Sequence, residues 1–311
     1  MRACGNPTCL NQPKSTSSAV ESGPALRHCM RCLSTAYCSH DCQKTSWATH
    51  KIVCERPNYI IKFHLHPGHI KDPPVIRTLS CPADAKFYTL HLALQLAFGW
   101  ATTHSFDFAV INPGYSQPTD LLQMIEKLRR LHVEGGGANP ASDPPEYLIR
   151  ILDPVEQTLT SGIDRMHEGQ RQHPHTKEKD AVGYELEQLL DNAKWQGKKI
   201  VYTYDFGDNW EHFLTVEGRC DPTDDFQVLS GVGHYVAEDV GGAIGWENLK
   251  AAYRARVPTS AQQERRECKE WRSTGSGWGS VYLFENKDET NRIMRLDNML
   301  DYFERYAYEQ L

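Results

Sequence analysis

Five cysteines and two histidines, of which His50 has ligand spacing to a cysteine, fall within the 26 residues from Cys29 to Cys54, and Cys4 and Cys9 stand upstream. They pair as Cys4-x4-Cys9, Cys29-x2-Cys32, Cys38-x3-Cys42 and His50-x3-Cys54, which makes four ligand pairs and eight ligands. Thiolate sulfur and imidazole nitrogen are the donors zinc takes in structural sites, and eight of them fill two tetrahedral sites with no position left open. A closed site braces a fold and does not catalyse, because catalytic zinc keeps a coordination position for water or substrate.

A second set of chemistry-bearing residues is looser. His104, Asp107, Asp205, Asp208, Glu211, His212, Glu238 and Asp239 occupy strand ends and two loops, four of them in YDFGD and NWEH. If they converge, carboxylate oxygens and imidazoles could hold a divalent ion for hydrolysis or supply an acid–base pair. In the other reading they are structural, with Asp208 and Asn209 making turn hydrogen bonds and Glu238–Asp239 capping a helix or pairing with Arg77. Nothing in the spacing decides between these. Nucleophile-elbow and phosphate-loop patterns are absent.

The elements that must position these residues follow from periodicity. Ser39 is an N-cap for the helical run HDCQKTSWATHKIVC, which places His50 and Cys54 on one helix face. The spacer of residues 10–28 is rich in Ser, Pro and Gly and reads as a solvated loop. Residues 59–66 alternate Tyr59, Ile61, Phe63 and Leu65 against Ile60, Lys62, His64 and His66, the pattern of a half-buried strand. Strands are also expected at 75–81 and 104–111. A helix over 86–100 should end at Gly99. A helix over 119–131 should bury Leu121, Leu122, Ile125, Leu128 and Leu131 behind a Thr119 or Asp120 cap. A short helix is expected in 184–195. IVYTYDF and WEHFLTVE then form a hairpin across Gly207-Asp208-Asn209, an acidic, Gly-rich loop opens a helix near residue 245, and residues 283–311 end in an amphipathic helix. Two polar stretches, 132–145 and 161–180, read as exposed loop insertions, and His167, His173 and His175 in the second read as solvated.

Composition bounds the remaining possibilities. With 40% hydrophobic and 24% charged residues the 311-residue chain is globular. No apolar run approaches the roughly 18 residues of a membrane span, and the N-terminus lacks the apolar segment of a secretory signal. Seven of ten cysteines sit in ligand pairs, which is metal usage in a reducing compartment and points to the cytoplasm or nucleus. Residues 1–56 carry seven Lys/Arg against three Asp/Glu within a chain of net charge −6. Two zinc ions and seven thiolates would cancel most of that basicity, and the acidic remainder would repel a phosphate backbone, so nucleic acid is an unfavoured partner.

Cys29-x2-Cys32, Tyr37-Cys38-Ser39, Cys42-Gln43, Trp47, His50-Lys51 and Cys54 resemble a MYND-type zinc finger over residues 4–54, departing only in the wide Cys4–Cys9 interval. The resemblance implies two cross-braced structural zinc ions, one on Cys4, Cys9, Cys38 and Cys42 and the other on Cys29, Cys32, His50 and Cys54. It also implies docking of a proline-rich peptide beside Gln43 and Trp47. Packing of Trp47 against the following domain is the alternative.

Arg77, Phe98-Gly99-Trp100, His104 with Phe106 and Phe108, YDFGDNWEH and EDVGG-x3-G resemble the pRi-plasmid open-reading-frame-three-like family (TnpR-like transposon passenger) over about 58–111 and 182–255. That resemblance implies a compact α+β domain and no established activity. The expected architecture is therefore a zinc-stabilised finger over 1–57 and a larger α+β domain over 58–311 with mostly antiparallel strands. The leading functional reading is a non-enzymatic interaction protein with a protein or peptide partner. The alternative is a metal-dependent hydrolase or nucleic-acid-processing enzyme using His104, Asp205, Asp208, Glu211, His212 and Glu238.

Overall fold

The computed structural model describes residues 3–10, 25–66, 70–100, 102, 104–116, 120–123, 125, 144–152, 176–233 and 236–275. The chain divides into two compact units: Met1–Asn58 with Arg219–Thr223, and Tyr59–Gly218 with Asp224–Leu311. Residues 219–223 thus group with the N-terminal unit, where Asn58 and Thr223 exchange hydrogen bonds (2.7 and 3.2 Å) and Arg219 donates to the Pro57 carbonyl at 2.9 Å.

The smaller unit contains β1 (Arg27–His28), β2 (Ala36–Tyr37) and α1 (His40–His50). β1 is exposed, and of these two strands only β2 turns residues inward. The buried cluster of this unit is made chiefly of its cysteines: Cys4, Cys9, Cys29, Cys32 and Cys54 cluster with Tyr37, and Leu26, Cys38 and Cys42 pack against them.

The larger unit is built on one eight-stranded sheet of order β10-β4-β3-β9-β8-β5-β6-β7. Its strands are β3 (Asn58–Leu65), β4 (Ile76–Cys81), β5 (Phe106–Ile111), β6 (Tyr147–Leu152), β7 (Lys177–Asp180), β8 (Ile200–Tyr204), β9 (Trp210–Cys220) and β10 (Gln227–Val232). Pairing is antiparallel along β10-β4-β3 and along β9-β8-β5-β6, and parallel between β6 and β7. The helices are α2 (Phe87–Phe98), α3 (Leu186–Leu190), α4 (Gly242–Arg254) and α5 (Ser260–Gly275). None of the helices among the described residues is long and apolar enough to cross a membrane.

The two-residue period of each strand decides which side chains reach the core. Tyr59, Ile61, Phe63 and Leu65 of β3 join Phe106 and Phe108 of β5 and Tyr202 and Tyr204 of β8 in one cluster. Phe87, Leu90, Leu94 and Phe98 of α2 pack in the same cluster. Gly99 ends α2 with φ 63°, a left-handed conformation that costs glycine nothing. The N–H groups of Gly99 and Trp100 then turn back to the Leu96 and Gln95 carbonyls at 3.1 and 2.9 Å.

The other sheet face carries a buried ion pair. Arg150 Nε donates to Asp107 Oδ2 at 2.8 Å, and its Nη1 reaches Glu178 Oε1 at 2.9 Å across the β6–β7 pair. Asp107 has no exposed surface. Arg150→Ala removes the cation facing that carboxylate and is expected to cost the larger unit about 3–5 kcal/mol in urea unfolding, whereas Asp107→Leu with Arg150→Met should cost far less.

Four sequence expectations need correction. The polar stretch 161–180 is not loop to its end, because residues 177–180 form β7; a charged segment such as KEKD suits a sheet edge yet carries no alternation to reveal it. Tyr147–Leu152, between the two polar stretches, is a strand not among the expected elements. Asp120 does cap, its carboxylate accepting the Gln123 N–H at 2.8 Å, but Leu121, Leu122 and Ile125 are 69%, 79% and 50% exposed instead of buried. Finally, α1 stops at His50, and Cys54 is reached through a turn closed by Val53 N–H on the His50 carbonyl. Ile52 and Val53 are 76% and 72% exposed, so no packing sustains a further helical turn. Leu128, Leu131, His167, His173, His175, most of the spacer and the expected C-terminal helix lie outside the described residues.

Candidate functional site

Local structure in the smaller unit delivers each ligand pair to its place. Asn6 Oδ1 accepts the Thr8 N–H at 3.0 Å and the Asn6 carbonyl accepts the Cys9 N–H at 3.0 Å, so a tight turn absorbs the wide Cys4–Cys9 interval. Gly5 donates to the Ala36 carbonyl at 2.7 Å, and a Cβ there would stand 2.4 Å from Thr35 Cγ2, so only glycine lets the two segments approach. Cys29 and Cys32 occupy the turn between β1 and β2, where Leu33 takes φ 56°. Ser39 caps α1, its hydroxyl accepting the Cys42 N–H at 3.1 Å, which sets Cys38 and Cys42 on either side of the helix start.

The pairs meet in alternation. The donor atoms of Cys4, Cys9, Cys38 and Cys42 lie within 4.8 Å of one another, as do those of Cys29, Cys32, His50 and Cys54. Cys9–Cys38 and Cys38–Cys42 Sγ separations are 3.4 and 3.5 Å, and Cys29 Sγ–Cys54 Sγ and Cys32 Sγ–His50 Nε2 are both 3.7 Å. Ligand bonds of about 2.0–2.3 Å give tetrahedral edges of roughly 3.3–3.8 Å, so both donor sets fit zinc. Burial and the neighbouring Cys29 push the Cys54 thiol up to about 12. Burial opposes ionisation of Cys32 too, but hydrogen bonds from Ser34 and Thr35 outweigh it and bring that thiol to about 6.

Gln43 is half-buried and Trp47, one turn along α1, is 40% exposed. The Trp47 ring leans on His50 at a centroid distance of 5.8 Å, and Tyr37 meets the same imidazole edge-on at 5.7 Å.

In the larger unit the ionisable set divides. His104, from the segment entering β5, lies with its Nε2 3.7 Å from Asp205 Oδ2 and 3.4 Å from Asp239 Oδ1. Asp205 follows β8 and turns the chain: its Oδ1 accepts the N–H groups of Gly207 and Asp208 at 2.9 and 3.1 Å. Burial pushes its carboxyl above the usual carboxylate value, with the facing His104 pulling the other way. Asp205, Asn209 and Asp239 all take positive φ, at 59°, 56° and 56°. Asp208 Oδ2 accepts from Val240 and Gly241 N–H at 3.1 and 3.3 Å, so the loop before α4 is tied to the β8–β9 turn. The approach is close, since a Cβ at Gly242 would sit 2.8 Å from the Asp208 carbonyl oxygen.

Glu238 accepts the Tyr204 hydroxyl at 2.6 Å. Tyr204 stacks on Trp100 at 4.6 Å, and the Trp100 indole donates to the Val236 carbonyl at 2.9 Å. This aromatic frame carries the acidic loop, and Tyr204 was not among the candidates because only tertiary packing brings it to Glu238.

Three residues of the sequence-derived set stand apart. Asp107 faces Arg150 on the opposite side of the sheet. His212 has no exposed surface; it lies among Phe98, Trp100 and Tyr202, and burial lowers its pKa to about 3. Glu211 alternates with His212 along β9 and so belongs to the other face. Arg77 hydrogen-bonds the carbonyls of Ala97, Ile76, Val232 and Gly233, with its guanidinium over the Phe98 ring.

Comparison with known proteins matches both units. Residues 6–54 fit the MYND finger model. A relative of the larger unit is an uncharacterized protein, y4hQ, of Sinorhizobium fredii, 23% identical over 215 residues, covering 68% of this chain and 80% of that protein. The crystal structure of a protein of unknown function from Methanosarcina mazei Go1, MM3350, aligns with a TM-score of 0.40 at 20% identity over 64% of this chain and 82% of that one. The plasmid pRiA4b ORF-3-like model fits residues 59–287, well over half of the chain. The protein therefore belongs to the plasmid pRiA4b ORF-3-like family, with a MYND finger preceding the family domain.

Proposed function

We propose that this is a zinc-binding docking protein whose finger holds two cross-braced ions and presents Gln43 and Trp47 to a proline-rich peptide. Cys4, Cys9, Cys38 and Cys42 take one ion, and Cys29, Cys32, His50 and Cys54 the other. The observation that carries the docking role is the exposure of Trp47, at 40%, in a unit whose buried cluster is made chiefly of cysteines. Gln43 and Trp47, four residues apart, share a face of α1. A rigid aromatic beside an amide is what a proline-rich segment needs, a flat apolar surface and a donor for its free carbonyls.

Titration of the zinc-loaded chain with proline-rich peptides, followed by amide shifts, should perturb α1 selectively. Trp47→Ala should weaken binding by roughly thirtyfold, in keeping with loss of an aromatic hot spot of about 2 kcal/mol, while bound zinc is unchanged. Equal affinity of wild type and variant would refute the role of Trp47. The enzymatic alternative has less support, since Glu211 and His212 stand apart from His104 and Asp205.

A further inference from the structure

We propose that His104, Asp205 and Asp239 form a site for one divalent transition-metal ion in the larger unit, separate from the finger and with coordination positions left for water or a ligand oxygen. The three side chains come from segments far apart in sequence, yet one donor atom from each lies within 4.8 Å of the other two. His104 is central. Its side chain is 6% exposed, and its Nε2 stands 3.4 Å from Asp239 and 3.7 Å from Asp205.

Those separations are the argument. A charged imidazolium paired with a carboxylate closes to about 2.7–2.9 Å, and these distances exceed the hydrogen-bonding range. They match instead the 3.4–3.7 Å donor separations within the two ligand sets of the finger. Ligand bonds of about 2.0–2.2 Å to nitrogen and oxygen put tetrahedral edges at roughly 3.3–3.6 Å. The larger unit thus sets the His104 nitrogen at ligand-like spacing from each of two carboxylate oxygens, with all three donors within 4.8 Å of one another.

The donor set defines the class of ion. One imidazole and two carboxylates form a borderline-to-hard set carrying two negative charges, which suits Zn²⁺, Mn²⁺ or Fe²⁺ better than a soft, thiophilic ion. Three protein donors do not complete even a tetrahedron, so the ion keeps at least one open position, unlike the closed sets of the finger. The support behind the ligands is also present. Gly207 and Asp208 N–H groups fix the Asp205 carboxylate, and Asp208 anchors the loop that carries Asp239.

The test counts metal on the full-length, zinc-loaded chain in the presence of Mn²⁺, which competes poorly for the thiolates of the finger. Bound zinc and manganese are summed by elemental analysis across a Mn²⁺ titration. The wild-type chain should hold one more ion than Asp239→Asn or His104→Gln at the same free Mn²⁺, and each variant should weaken this binding by tenfold or more. Mn²⁺ should also broaden the His104 ring resonances selectively, and near-UV circular dichroism checks that each variant keeps the wild-type fold. Asp239, with its side chain 52% exposed, is the substitution least able to disturb packing. Equal metal content in wild type and both folded variants, or no broadening at His104 up to millimolar Mn²⁺, would overturn the proposal.

Discussion

Removing metal from the finger is expected to unfold the smaller unit and leave the larger one folded. Among its described residues the N-terminal segment of the smaller unit has two strands of two residues each and one helix of 11 residues, and its buried cluster consists of Cys4, Cys9, Cys29, Cys32, Cys54 and Tyr37. Without an ion those thiols are small apolar groups too few to offset chain entropy, and Cys54, pushed up to about 12 by burial and Cys29, stays protonated. Binding a structural zinc contributes about 10–16 kcal/mol, far above what such a core can supply. Chelation followed by amide correlation spectra should collapse the dispersion of residues 25–58 while the sheet resonances persist. Cys32→Ser should reproduce that collapse at ambient zinc. Retained dispersion in the fully stripped finger would overturn the prediction.

Acid should destabilise the larger unit steeply between pH 6.5 and pH 3, through His91 and His212. Both have no exposed surface, and burial lowers each pKa to about 3. His91 stacks on Phe106 at 3.7 Å and shares a 2.9 Å hydrogen bond with the Tyr202 hydroxyl; His212 lies against Phe98 at 4.7 Å. The sign follows from linkage. The unfolded chain protonates these imidazoles below about pH 6.5 while the folded chain does not, so stability is full above that value and is lost as pH falls toward 3. Each histidine costs about 1.4 kcal/mol per pH unit, up to about 4–5 kcal/mol apiece, against a usual total of about 5–15. Urea midpoints from the core tryptophans Trp100 and Trp210 at several pH values measure the slope. His91→Gln should reduce it by close to one proton relative to wild type, and an unchanged slope would show that His91 does not titrate on unfolding.

The candidate metal ligands of the finger were legible because zinc chemistry acts over short chain separations: pairs with two to four residues between them must use Cys or His, and few other pressures place them so. The strands of the larger domain were legible where one face is apolar, as in Tyr59, Ile61, Phe63 and Leu65. They were hidden where the edge is charged, as at Lys177–Asp180, or where the neighbouring stretches are polar, as at Tyr147–Leu152. Leu121, Leu122 and Ile125 show the converse, an apolar pattern that their own exposure contradicts.

The YDFGDNWEH stretch was visible as unusual, but its chemistry was not divisible from the sequence. Asp205 and His212 lie on the two arms of one hairpin, yet Asp205 meets His104 at the turn end while His212 enters an aromatic core. Strand parity and register make that division, and neither is encoded by residue type. Sequence alone therefore determined the finger, the eight Cys and His residues that could hold metal in it, the α+β family and the presence of a cluster of ionisable residues. Tertiary structure alone decided that His104, Asp205 and Asp239 share a centre while Asp107, Glu211 and His212 do not. Ligand pairs of a finger are local in the chain, whereas a site assembled from three loop ends exists only once the sheet has set their distances.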